Sequence, residues 1–145
     1  MSGEPHLTAV TLGVRDFGTS LRFYEALGFE RKLRETGDAI AFMNAGGVVL
    51  VLWHWDMLAE DEMLPASPAS PYRGMSLAWN CRTNEEVDAA FERAVTAGAK
   101  VLRTPSATDY GGYRGYFADP DGHAWEVVCA PGFEFTDDGR LILKD

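Results

Sequence analysis

The sequence predicts an α+β fold in which one strand–helix–strand–strand–strand unit occurs twice, the two units pairing into a curved mixed sheet with helices on its outer face. Three observations predict this. Two amphipathic helical stripes are each preceded by one strand-like segment and followed by three. The second unit repeats the order of the first at an offset of about 70 residues. The stretch between them is rich in Pro, Ser and acidic residues and matches neither unit.

The first strand falls at residues 6–14, where Leu7, Val10, Leu12 and Val14 are interspersed with small or polar residues. Asp16 offers a helix N-cap. Phe17, Leu21 and Tyr24 recur at helical spacing, Phe23 and Leu27 widen the stripe, and Gly28 supplies a stop. Strands follow at 30–34, 39–44 and 48–53, with Gly46 and Gly47 turning between the last two. Residues 57–73 read as a linker with one short helical turn: Glu60, Asp61 and Glu62, then Pro65, Ser67, Pro68, Ser70 and Pro71.

The second unit opens with an alternating strand at 75–81. Thr83 and Glu86 form a capping box. Val87, Ala90, Phe91, Ala94 and Val95 then make the second stripe, closed by Gly98. Strands follow at 101–104, 113–118 and 124–129, and Asp119-Pro120-Asp121-Gly122 turns between the last two. In the tail, 132–145, Phe133 and Phe135 pair with Leu141 and Leu143 around Asp138-Gly139. This reads as a hairpin or flap whose apolar residues need cover from this subunit or a partner. The modules are 6–56 and 74–131, within a single domain over 1–145.

Composition excludes several functions. The chain has 145 residues, 46% of them hydrophobic, enough for a sizeable core. A net charge of -9 with no basic patch repels a phosphate backbone, so no nucleic acid is expected. No apolar run reaches the roughly 18 to 20 residues of a bilayer span. Residues 1–6 lack the basic and apolar regions of a signal peptide. Cys81 and Cys129 form no CxxC pair and read as free buried thiols, so a cytoplasmic location is expected.

Several runs carry a resemblance. In the first half they are Val10-Thr11-Leu12-Gly13-Val14-Arg15-Asp16, Ser20-Leu21-Arg22-Phe23-Tyr24 and Leu27-Gly28-Phe29. In the second they are Gly115-Tyr116-Phe117-Ala118-Asp119-Pro120-Asp121-Gly122-His123 and Trp125-Glu126-Val127. From Leu7 to Pro131 the chain resembles the vicinal oxygen chelate superfamily, which includes glyoxalase I, bleomycin-resistance proteins and extradiol dioxygenases. The resemblance implies paired βαβββ modules, a homodimer, and either metal-dependent chemistry or plain drug binding. It also implies that metal ligands stand on the first and last strands of each module. Those positions here are Ala9, Val51, Ser76 and Glu126. Only Glu126 is a strong donor, and one carboxylate cannot hold Zn²⁺ or Fe²⁺ against water. The expectation is therefore no metal and no cofactor. A register slip does not rescue the site: His6 and His54 lie three residues from Ala9 and Val51, which reverses their facing. His123 reads as a turn residue.

Side-chain alternation places Glu126 with Ala124 and Val128 on the concave side, and Trp125 and Val127 toward the helices. Glu126 then acts as a general base, pairs with a ligand group, or is satisfied internally by Arg114 or Tyr116. Trp53 shares the face of Val51, and Phe42 lies on the neighbouring strand. Tyr110-Gly111-Gly112-Tyr113 either closes over a flat ligand or only permits a bulge. Trp79 and Trp125 read as core. Trp55 reads as the end of the fourth strand or a dimer contact.

The ligand-binding set is thus Phe42, Trp53, Ser76, Tyr110, Tyr113, Arg114 and Glu126, with Glu126 the catalytic candidate. The favoured function is binding of a small organic molecule, cationic or aromatic, by a homodimer; the net charge of -9 favours a cation. The alternatives are a lyase or isomerase using Glu126 with a tyrosine such as Tyr113, a metal-dependent glyoxalase or dioxygenase with displaced ligands, and a plain interaction module.

Overall fold

The computed structural model describes residues 4–67 and 70–145. Met1, Ser2 and Gly3, and Pro68 of the expected linker, lie outside the described residues. The first module is β1 (Ala9–Val14), α1 (Phe17–Leu27), β2 (Glu30–Lys32), β3 (Ile40–Asn44) and β4 (Val49–His54), in the sheet order β1-β4-β3-β2. The β1–β4 pair is parallel and the others are antiparallel. Asp16 caps α1 by accepting from the Thr19 N–H at 3.0 Å, and Gly28 ends it in the left-handed region. The second strand stops two residues earlier than the periodicity predicts. Leu33 turns to φ 50 and opens a 3-10 turn at Arg34–Thr36.

A helix, α2 (Trp55–Glu62), follows directly on β4. It is longer than the single turn expected, and it starts two residues earlier, so Trp55 belongs to this helix and not to the strand. No Gly or Pro interrupts residues 55–62, and Asp56 lies in the first turn, where its charge suits the helix dipole. This helix packs on the face of β1 turned away from the core. Gly13 makes the approach possible: a Cβ there would lie 3.1 Å from the Trp55 ring.

The second module is β5 (Leu77–Asn80), α3 (Asn84–Thr96), β6 (Lys100–Ala107), β7 (Tyr113–Ala118) and β8 (Ala124–Cys129), in the order β5-β8-β7-β6. The Thr83 hydroxyl accepts from the Glu86 N–H at 3.1 Å. The Glu86 carboxylate reaches one residue further back than a capping box does, accepting from the Arg82 N–H at 2.8 Å. Strand β6 runs three residues beyond its expected end. As an edge strand it tolerates Pro105, with register shifts on both sides of Arg103. A Cβ at Gly115 would meet Pro105 at 2.9 Å, so only glycine lets the two strands approach there. The tail forms the expected hairpin, β9 (Glu134–Phe135) with β10 (Leu141–Ile142). Arg82 covers part of it, stacking over Phe135 and donating to the Thr136 carbonyl, while Leu141 and Leu143 stay exposed.

The fold class is the expected one: two four-stranded mixed sheets with α1 and α3 on their apolar faces. Alternation sends Leu12, Val14, Ala41, Met43, Leu50 and Leu52 of the first sheet to the same core as Phe117, Trp125 and Val127 of the second. Trp79 packs against this core as expected, in ring contact with Phe29. No helix among the described residues is long and apolar enough to cross a membrane.

The Asp119-Pro120-Asp121-Gly122 turn does more than reverse the chain. Asp119 and Asp121 are both buried. Asp119 accepts from the Tyr24 hydroxyl at 2.5 Å, and that hydroxyl in turn accepts from the Trp125 indole at 3.1 Å. Asp121 accepts from the Ser20 hydroxyl and the Arg15 N–H, both at 2.9 Å. His123 closes the set, bonding the Gly13 carbonyl through Nε2 at 2.8 Å. The second module thus grips the first by a buried polar network. Burial raises the Asp119 carboxyl above its usual value of 3.8, opposed by the hydrogen bonds it accepts from Tyr24 and from the Asp121 and His123 N–H groups.

Tyr24→Phe leaves one Asp119 oxygen and the Trp125 indole N–H without their partner, and is expected to cost about 2–4 kcal/mol in urea unfolding. A raised carboxyl holds more protons folded than unfolded, so its contribution is full at low pH and is lost as pH rises from 3.8 through the folded value. The stability of wild type relative to Asp119→Asn should therefore fall as pH rises above 3.8. A rising difference in paired urea titrations would contradict the assignment.

Candidate functional site

The faces of the two sheets turned away from the core carry the expected site residues. In the first sheet, Phe42 is paired with Val51, and Ile40 with Trp53. Thr11 and Gly13 lie opposite Val51 and Trp53 on the other side. The face is a half-buried apolar and aromatic wall, with Val51 fully buried in it.

In the second sheet, Glu126 lies between Ala78 and Tyr116. Arg114 is opposite Val128, and Arg103 opposite Tyr116. Ser76 precedes β5 and falls on the same side as Ala78 by alternation. The Tyr116 hydroxyl donates to the Glu126 carboxylate at 3.1 Å. Burial, and then the Glu126 charge, raise the Tyr116 phenol above its ordinary value, so it stays a proton donor. Arg114 reaches only the Ser106 hydroxyl at 3.3 Å and its carbonyl at 3.5 Å. Tyr110 is exposed. Its loop is tied by Thr108, whose hydroxyl accepts from the Gly112 N–H at 2.8 Å. A Cβ on Gly112 would lie 2.7 Å from the Tyr110 ring, so glycine is needed for that ring to fold back.

Tyr113 does not join this group. It sits on the opposite face of β7, where its hydroxyl donates to Asp88 of α3 at 2.6 Å. The structure therefore brings Arg114, Tyr116 and Glu126 to one side of the second sheet, and Phe42 and Trp53 to one side of the first, with Tyr110 exposed on the loop before β7. Among the described residues no hydrogen bond or ring contact joins these two sides. Two crevices among the described residues lie elsewhere. One is bounded by Leu12, Tyr72, Arg73 and His123, the other by Trp79, Arg82, Glu86 and Phe135.

Sequence reasoning did not place Arg103 in the site, because the irregular register of β6 hides its facing. Tyr116 was recognisable only as a partner for Glu126. The signal for a larger role was present: Tyr116 alternates with Arg114, and both share the side of Glu126.

The donor set does not fit a divalent metal. Among the described residues no three His, Cys, Asp or Glu side chains converge. Ala9 and Val51 have no donor atom, Ser76 is a weak one, and Glu126 already accepts from Tyr116. The histidines offer no substitute. His54 stacks on Phe17 on the core side and spends Nε2 on the Asp38 carbonyl. His123 lies 2.6 Å through Nδ1 from Arg73, a group that can only donate, so Nδ1 accepts and Nε2–H donates to Gly13. Both of its ring nitrogens are occupied.

Residues 6–127 match the family pattern of the Glyoxalase/Bleomycin resistance protein/Dioxygenase superfamily. The chain belongs to this superfamily. A glyoxalase-related enzyme from Fulvimarina pelagi is 36% identical, with a TM-score of 0.85 over 97% of this chain and 99% of that one. A glyoxalase/bleomycin resistance protein/dioxygenase from Nocardioides is 27% identical, with a TM-score of 0.71 over 91% of this chain and 88% of that one. Lactoylglutathione lyase from Agrobacterium tumefaciens is 21% identical, with a TM-score of 0.68 over 90% of this chain and 99% of that one. At that identity it bears on the fold alone. None of the proteins of curated function matches.

The Glu126–Tyr116 pair is open to a direct check. Glu126→Gln removes the charge that holds the phenol up, so the Tyr116 ionisation seen in an ultraviolet alkaline titration should move to lower pH. An unchanged titration would dissolve the pairing.

Proposed function

We propose that this superfamily member binds a small, partly aromatic organic molecule without a divalent metal. The observation that carries the reading is the chemistry of the two open faces. One is an apolar wall of Phe42, Val51 and Trp53, and the other holds a single carboxylate already engaged by a phenol. A flat ring gains hydrophobic and stacking energy on the first wall, and polar groups on the second fix its orientation. The two walls close on one ligand when two copies of the chain assemble. The exposed apolar residues Leu7, Met57, Leu64, Tyr72 and Met75 support such an assembly by offering surface for a partner.

A second reading rests on the same pair: Glu126 takes a proton from a bound substrate while the Tyr116 hydroxyl steadies the carboxylate. In that case Glu126→Gln abolishes turnover and leaves binding nearly intact.

The binding reading is tested by calorimetry with a panel of flat aromatic molecules bearing anionic, neutral and cationic head groups, in chelator and again with added Zn²⁺. Binding that persists in chelator and weakens in Trp53→Ala is the expected result. Binding that requires Zn²⁺, or none at all, would remove the reading. Sedimentation of the same samples reads the assembly: a ligand-binding monomer would place both walls within one chain.

A further inference from the structure

The net charge of the whole chain favours a cationic ligand, but the second wall carries the opposite balance. Two arginines stand at register positions beside Tyr116 on the face of Glu126, Arg103 opposite it on β6 and Arg114 two residues along β7, against that one carboxylate. Neither has a carboxylate partner or a short hydrogen bond, which separates them from most of the chain's arginines. Arg15, Arg34 and Arg140 are paired with carboxylates. Arg73, Arg82 and Arg93 are spent on backbone carbonyls. Arg114 makes only two long bonds to Ser106. Among the described residues Arg103 makes no hydrogen bond and no ion pair. In an acidic protein, two arginines left unpaired on one face present donors to an anion.

The spacing limits the anion further. Glu126 is directly opposite Tyr116, and Arg114 is two residues along β7 from Tyr116. In an antiparallel pair such diagonal neighbours lie about 7–8 Å apart. That is the span of a para-disubstituted benzene ring. Tyr116 donates to one oxygen of Glu126, which leaves the other able to accept.

We infer that the ligand is an aromatic acid whose carboxylate is held by Arg114 and Arg103, whose ring lies on Phe42 and Trp53, and whose far substituent donates a hydrogen bond to Glu126. The inference rests on the binding reading above, since it needs both walls on one ligand. It names the ligand class that reading leaves open.

The test compares 4-hydroxybenzoate with its neutral amide, 4-hydroxybenzamide, and with the cation 4-hydroxybenzylamine. Calorimetry is done at low and high salt. The acid should bind about 10- to 100-fold more tightly than the amide, the difference expected for a charge-assisted contact. That advantage should shrink at high salt, as the exposed Arg103 contact is screened. Arg114→Gln should abolish the preference for the acid, and an unchanged far-ultraviolet circular dichroism spectrum and thermal midpoint report that the variant is folded. Amide or amine binding as tight as the acid would overturn this inference and leave the binding reading standing. Failure of all three to bind would overturn this inference, while the binding reading is decided by the wider panel.

Discussion

Two carboxylates buried in one turn hold the molecule in its arrangement. Asp119 and Asp121 belong to the second module, yet their hydrogen-bond partners include Tyr24, Ser20 and the Arg15 N–H of the first. The apolar core is continuous across both modules, but hydrophobic contact is non-directional and would tolerate many relative placements. The buried polar set does not, because each displaced partner leaves a desolvated group without a bond. Registration of the two modules, and so the relation of their open faces, is fixed by this set. Arg73 extends it into the linker, donating to the Asp121 carbonyl and to His123.

The same turn shows how much could be read in advance. Asp-Pro-Asp-Gly announces a turn from residue preferences alone, and the turn is there. Nothing in its sequence announces that both carboxylates are buried, since that follows from what packs above them. The fold was legible for a related reason: period-two and period-3.6 patterns are local properties of the chain. The caps at Asp16 and Thr83 are local too, and both hold. Trp55 was misplaced because a strand and a following helix with no intervening turn residue look continuous. Strand β6 was cut short because Pro105 argues against a strand unless the strand lies at an edge, and edge status depends on the whole sheet.

The site was legible in one dimension only. Alternation places Glu126, Arg114 and Tyr116 together, and Phe42 and Trp53 together. It also places Tyr113 across the sheet from its neighbour Arg114, and the structure bonds Tyr113 to α3. The glycine pair beside Tyr113 suggested a loop that both tyrosines share, but a residue that starts a strand obeys the strand's facing, not the loop's. Arg103 was out of reach for the opposite reason. A register shift resets the alternation, and no local pattern marks where it falls.

What the superfamily scaffold gives this chain is therefore a geometry rather than a chemistry. On the binding reading proposed above, the four strand positions face one ligand whatever their side chains are. With donors at all four, a cation would be the strongest charge in the site and would dominate ligand choice. With Ala9, Val51, Ser76 and Glu126 there, the dominant groups are the ones a cation would have overshadowed: a phenol–carboxylate pair and arginines without acidic partners. Replacing ligand residues by Ala and Val also removes desolvation cost from the first wall, which can then take a flat apolar ring. The absence of donors from the first wall and the balance of charge on the second both fit the proposed binding reading, in which orientation comes from side-chain hydrogen bonds and affinity from ring burial.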